Sequence, residues 1–121
     1  MLLINNLQMQ QLAQATDEVF LKAVAACVSR HWPQRCERLG PQALLTRLRS
    51  VGQVALGYGI KERPDVLRLA NMAMALDHDL SRADLDWVHL RLGDTRLRPA
   101  DRLDLLDGDV REWLLERRAR A

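Results

Sequence analysis

Aromatic residues are scarce in this sequence: Phe20, Trp32, Tyr58, Trp87 and Trp113 are the only ones among 121 residues. A core must therefore be assembled from Leu, Val, Ala and Met. Leu and Ala are good helix formers and β-branched residues are few, so the composition favours helix over sheet. Lysine is nearly missing too: apart from Lys22 and Lys61, every basic residue other than histidine is arginine. Only two cysteines occur, Cys27 and Cys36, with no C-x-x-C pair. No apolar run approaches the roughly 18 residues that span a bilayer. The apolar start Met1–Ile4 stops at Asn5 and lacks the basic flank of a secretory signal. These absences predict a cytoplasmic protein with reduced thiols and no membrane association.

What is present fits one globular domain over 1–121. Apolar residues make up 48% and charged residues 28% of the chain, an ordinary balance for a folded protein. Eighteen basic residues face sixteen acidic ones, for a formal charge of +2. The two signs are interspersed, whereas a nucleic-acid binder more often gathers its basic residues on one face. Nucleic acid is therefore not the expected partner.

The densest apolar stretch lies in VGQVALGYGIKERPDVLRLANMAMALDHD, Val51 to Asp79, which also holds half of the glycines. From Val66 the apolar residues run too continuously for a one-sided surface helix, so Pro64 to about Asp77 reads as a central helix covered on most sides. Around it, a first helix is expected from about Leu7 to His31, after an irregular lead-in at 1–5. Pro33 ends it by restricting Trp32. Gln34 to Leu39 reads as a turn closed by Gly40 as a left-handed cap. Pro41 opens a second helix, with a stripe of Leu44, Leu45, Leu48, Val51, Ala55 and Leu56, stopped by Gly57 and Gly59. A short helix carries Leu85, Val88 and Leu92 and stops at Gly93, with Ser81 or Asp84 as its cap. Beyond Arg98 a further segment is expected to break at Asp107-Gly108, with Asp109 capping a last helix and a frayed basic tail at 117–121. The prediction is an all-α bundle of about five helices.

No pattern in the chain supplies chemistry. Cys27, His31, Cys36 and either His78 or His89 lack zinc-site spacing, and Cys27 lies on an apolar stripe where free cysteine acts as a small hydrophobe. Ser29, Ser50 and Ser81 sit in no nucleophile elbow. Asp77 with Asp79, and Asp84 with Asp86, are two residues apart and diverge on a helix. The GYG glycines lack the phosphate-cradling pattern. No enzyme activity, cofactor or metal is expected. Met72 and Met74 read as core filling ahead of an adaptable groove. A helix-turn-helix reading would use Arg63, Arg68 and Asn71, but the helix that bears them is mostly apolar. A small DNA-binding regulator is the alternative it leaves.

The segment YGI, a charged link and then DVLRLANMAMALDHDL resembles a pattern found in small helical proteins encoded beside type VI secretion effector genes. The opening LLINNLQMQQL, the segment HWPQRCERLGP and the closing DWVHLRLGDTRLRPADRLDLL, with its L-x-P-x-x-R-L-x-x-L motif, are similar to that family in the same order. Asp86 stands where the family has a proline before the tryptophan. The resemblance implies an accessory protein: a co-chaperone or adaptor for a secretion effector or its dedicated chaperone, or else an immunity protein that blocks a toxin. Tyr58, Arg63, Arg68 and Trp87 are the expected partner-binding residues, since they flank the central helix and are poor core filling. A homodimer is also compatible with so leucine-rich a helical domain.

Overall fold

Leu44, Leu48, Val51 and Ala55 recur at alternating four- and three-residue steps, and all four are buried on one helix face. The same logic assembles the rest of an all-α fold. The computed structural model describes residues 17–78, 80 and 85–120. It contains six helices in order: α1 Asp17–His31, α2 Pro33–Leu39, α3 Pro41–Gly57, α4 Arg63–Leu76, α5 Asp86–Leu92 and α6 Pro99–Arg120. No strand occurs among the described residues. No helix among them is long and apolar enough to cross a membrane. The expected lead-in, the first helix before Asp17 and the caps at Ser81 and Asp84 lie outside the described residues.

Helix α4 is the centre, as its apolar run predicts. Leu67, Leu69, Ala70, Met72, Ala73, Met74 and Leu76 are all buried, against α1, α3 and α6. Met72 and Met74 are thus core filling.

The ends of α3 and α4 are both closed by Schellman turns, in which the two residues past the cap donate backward to the last carbonyls. After α3, Gly59 N–H reaches Leu56 O at 3.0 Å and Ile60 N–H reaches Ala55 O at 2.9 Å. Gly59 takes φ +74°, where a side chain is disfavoured. After α4, Asp77 N–H reaches Met74 O at 3.2 Å and His78 N–H reaches Ala73 O at 3.1 Å. There the left-handed residue is Asp77 itself, at φ 61°, ψ 34°.

Several expectations need correction. Gln34 to Leu39 is not a turn but most of α2, which buries Cys36. Gly40 does have positive φ, but its ψ of 160° makes it an extended link shared by α2 and α3 rather than a left-handed cap. Leu56, expected in the stripe of α3, is 65% exposed: it sits beside the buried Ala55 on the solvent side of the same turn. Nothing breaks at Asp107-Gly108: α6 continues to Arg120, so the basic tail is helical that far and Asp109 is no cap. The stripe Leu103, Leu106 and Val110 carries one buried face across Gly108.

Candidate functional site

Three of the four expected contact residues fasten the fold from within. The Arg63 guanidinium lies 5.0 Å over the Phe20 ring and pairs with Asp17 at 3.3 Å, joining α4 to α1. Arg68 pairs with Asp104 at 2.8 Å, joining α4 to α6. Tyr58, half-buried at the end of α3, places its hydroxyl 2.7 Å from His89 Nδ1. His89 Nε2 lies 2.7 Å from the Leu80 carbonyl. A carbonyl can only accept, so Nε2 carries the proton; in the neutral ring Nδ1 then accepts from the Tyr58 hydroxyl. Tyrosine and histidine side by side suggest proton transfer, but both ring nitrogens are already engaged, Nδ1 with the Tyr58 hydroxyl and Nε2 with the Leu80 carbonyl.

The Tyr58 backbone is engaged as well. Its carbonyl accepts from Arg102 Nη1 at 3.0 Å, and the same guanidinium donates to Leu97 O at 2.9 Å and Leu92 O at 3.3 Å. Arg102 is only 7% exposed, and each of these three acceptors is a backbone carbonyl. Tyr58 and Leu92 close α3 and α5, where the helix dipoles are negative, so the buried cation sits where their fields favour it. Nothing in the sequence pattern marked Arg102 beyond its place in the L-x-P-x-x-R-L-x-x-L segment.

Trp87 behaves differently. It lies on α5, half-buried, with its ring 6.0 Å from that of Trp113 on α6 and tilted by 38°. Its Nε1 is buried without an acceptor among the described residues. The two rings line an open groove of about 510 Å³ between α5 and α6, together with Leu90, which is 78% exposed. At the groove's edge Arg91 grips Asp109 with two hydrogen bonds, 2.7 and 3.2 Å. That bond raises the arginine's already high pKa further. Glu112 and Glu116 complete the rim.

Sequence reasoning reached Trp87 but missed Leu90, Glu112, Trp113 as a groove wall, and Glu116. The signal was there. Asp109, Glu112, Trp113 and Glu116 follow the i, i+3, i+4, i+7 spacing of one helix face, within the last helix expected beyond Gly108; what the spacing does not show is that α5 packs beside that face and makes it a groove.

A second groove, about 480 Å³, runs between α1, α2 and α3 and is lined largely by small side chains such as Ala25, Ala26 and Ser29. Among the described residues no three His, Cys, Asp or Glu side chains gather as a metal site. Cys27 is half-buried and Cys36 buried, both as free thiols. No family model, curated protein or solved structure matches the chain.

Proposed function

We propose that this chain is a non-catalytic protein-binding accessory, a co-chaperone or adaptor for a type VI secretion effector or for that effector's dedicated chaperone. The observation that carries protein binding is the α5–α6 groove. Two tryptophans and an exposed leucine sit inside a charged rim, and aromatic anchors within a polar rim are the anatomy of protein interfaces. The secretion setting rests on the sequence resemblance. Of the four residues named from sequence, we assign the direct contact to Trp87, because its ring lines the groove; Tyr58 and Arg68 brace α5 and α6, and Arg63 joins α4 to α1.

The test is co-expression with the products of neighbouring genes, followed by gel filtration. A stable complex of near-equal stoichiometry with an effector or its chaperone supports the reading. Leu90→Ala, at an exposed side chain of the groove, should weaken that complex at an unchanged thermal midpoint, whereas Arg68→Ala should lower the midpoint slightly and leave the complex intact. Toxicity on deleting the gene would replace the adaptor role with immunity. Sequence-selective DNA binding by the purified protein, without any protein partner, would overturn the reading.

A further inference from the structure

We infer that the α5–α6 groove takes a basic amphipathic helix of the partner, its apolar face on Trp87, Leu90 and Trp113 and its cations on Glu112 and Glu116. This rests on the protein-binding reading above and names the chemistry of the partner. Charge accounting along α6 leads to it. Asp101 is paired with Arg98, Asp104 with Arg68, Asp107 with Arg111 and Asp109 with Arg91. The run of internal neutralisation then stops: among the side chains described, which end at Ala119, neither Glu112 nor Glu116 has an ion-pair partner. They stand one turn apart on one face, where like charges destabilise a helix. Of the arginines that adjoin them in sequence, Arg111 is paired with Asp107 and Arg117 is laid over the Trp113 ring at 4.6 Å. A cation brought by a partner relieves the repulsion, and the apolar floor beside it receives the side chains that such a helix carries on its other face.

The same charges argue against other occupants. A second copy docked through this face would bring the same lining, one arginine against three carboxylates, and so no surplus cation for Glu112 and Glu116. Nucleic acid would bring phosphates to an acidic rim. An added β-strand needs an open sheet edge, and no strand occurs among the described residues. A helix packing its ridge between two existing helices needs only the surface that is there.

The probe is a synthetic leucine/arginine peptide patterned as an amphipathic helix, with two controls: the same composition scrambled, and a leucine/glutamate version of the same pattern. Binding is read from tryptophan fluorescence and from backbone amide shifts by NMR. The leucine/arginine helix should bind, shifting amides at Leu90, Glu112, Trp113 and Glu116, with affinity falling as salt is added. The double variant E112Q/E116Q keeps side-chain size and should weaken binding roughly tenfold, as loss of two partly exposed ion pairs implies, at an unchanged or slightly raised thermal midpoint. Equal binding of either control, shifts centred elsewhere, full affinity in E112Q/E116Q, or self-association through this groove would each overturn the inference. If E112Q/E116Q still assembles normally with a neighbouring gene product, the accessory reading stands and the groove inference falls. If the peptide maps to the groove and no neighbour binds the wild-type chain, the reverse holds.

Discussion

Arg35 of α2 donates to the Met74 carbonyl at the end of α4, 2.5 Å away, and the same nitrogen reaches Ala75 O at 2.7 Å. A cation at the negative end of a helix is favourable, more so when it hydrogen-bonds the last free carbonyls. The Arg35 guanidinium also lies 5.0 Å over the Trp32 ring, whose Nε1 donates to Asn71 at 2.8 Å. Two more arginines, Arg47 at 3.3 Å and Arg38 at 3.8 Å, converge on Asp77 in the turn that follows. Arg35→Ala should therefore cost about 2 kcal/mol, the loss of a charge-assisted bond, or roughly 8 °C of thermal midpoint. Arg35→Lys should recover part of it, a charge without the planar fork. A melt of Arg35→Ala superimposable on wild type would show that α2 is held to α4 by apolar burial alone.

Arg102 makes a sharper case because its three acceptors are all main-chain carbonyls. Arg102→Leu leaves Tyr58, Leu92 and Leu97 carbonyls to find water or go unpaired, and should destabilise by about 3 kcal/mol. Amide exchange should quicken in the turns at 57–60 and 93–98 before it does in α4. Uniform loss of protection across the chain would mean that Arg102 supports the whole core rather than these turns.

That network also explains how far the sequence was legible. The spans of α3, α4 and α5 follow from Pro41, Gly57, Gly59, Pro64 and Gly93, because proline and glycine act locally. Helix α2 was hidden because what stabilises it is distant in sequence: Arg35 finds its acceptors 39 and 40 residues away. Tyr58, Arg63 and Arg68 read as partner contacts because they are too polar for a core next to the central helix, and such residues are also what braces one helix against another. The YGI and L-x-P-x-x-R-L-x-x-L segments meet in the bond from Arg102 to the Tyr58 carbonyl. The residues that carry the resemblance thus build much of the scaffold, while the groove takes Trp87, Leu90 and Arg91 from the closing segment and its α6 wall from residues beyond it.

Gly108 interrupts nothing, yet it weakens α6. A Cβ built there meets no atom within 4 Å, and its φ is not positive. Gly108→Ala should stabilise by about 1 kcal/mol through lower unfolded-state entropy and better helix propensity, raising the midpoint by roughly 4 °C. No gain in a thermal melt would imply that α6 frays there in solution.

Acid should loosen the link between α5 and α6. Asp94 accepts from the Arg96 guanidinium at 2.9 and 3.0 Å and from its backbone N–H at 3.3 Å. Chiefly through the bond with the Arg96 side chain, these hold the carboxyl below the usual aspartate pKa. A depressed native pKa gives stability that is present above the unfolded value of about 3.9 and lost as pH falls through the native one. Asp94→Asn should melt below wild type at neutral pH, and the gap should close in acid. A gap that persists at the acid end would assign the effect to the shape of the turn rather than to its charge.

Trp87 carries the one side-chain donor that is buried without an acceptor among the described residues. An unpaired buried N–H costs about 1–3 kcal/mol, so removing it should offset much of the area lost with the larger ring. Trp87→Phe is expected within about 1 kcal/mol of wild type. Trp87→Ala, which also gives up the packing against Trp113, should lose about 3 kcal/mol. The comparison is made on urea melts of equal slope, so that only the midpoint differs. If phenylalanine is as damaging as alanine, the indole N–H has a partner after all, an ordered water in the wall of the groove. The ring would then be fixed in place before any partner arrives. If phenylalanine is neutral, Trp87 is held only by its neighbours, and its indole N–H stays buried and unpaired in the wall of the groove where a helix is expected to dock.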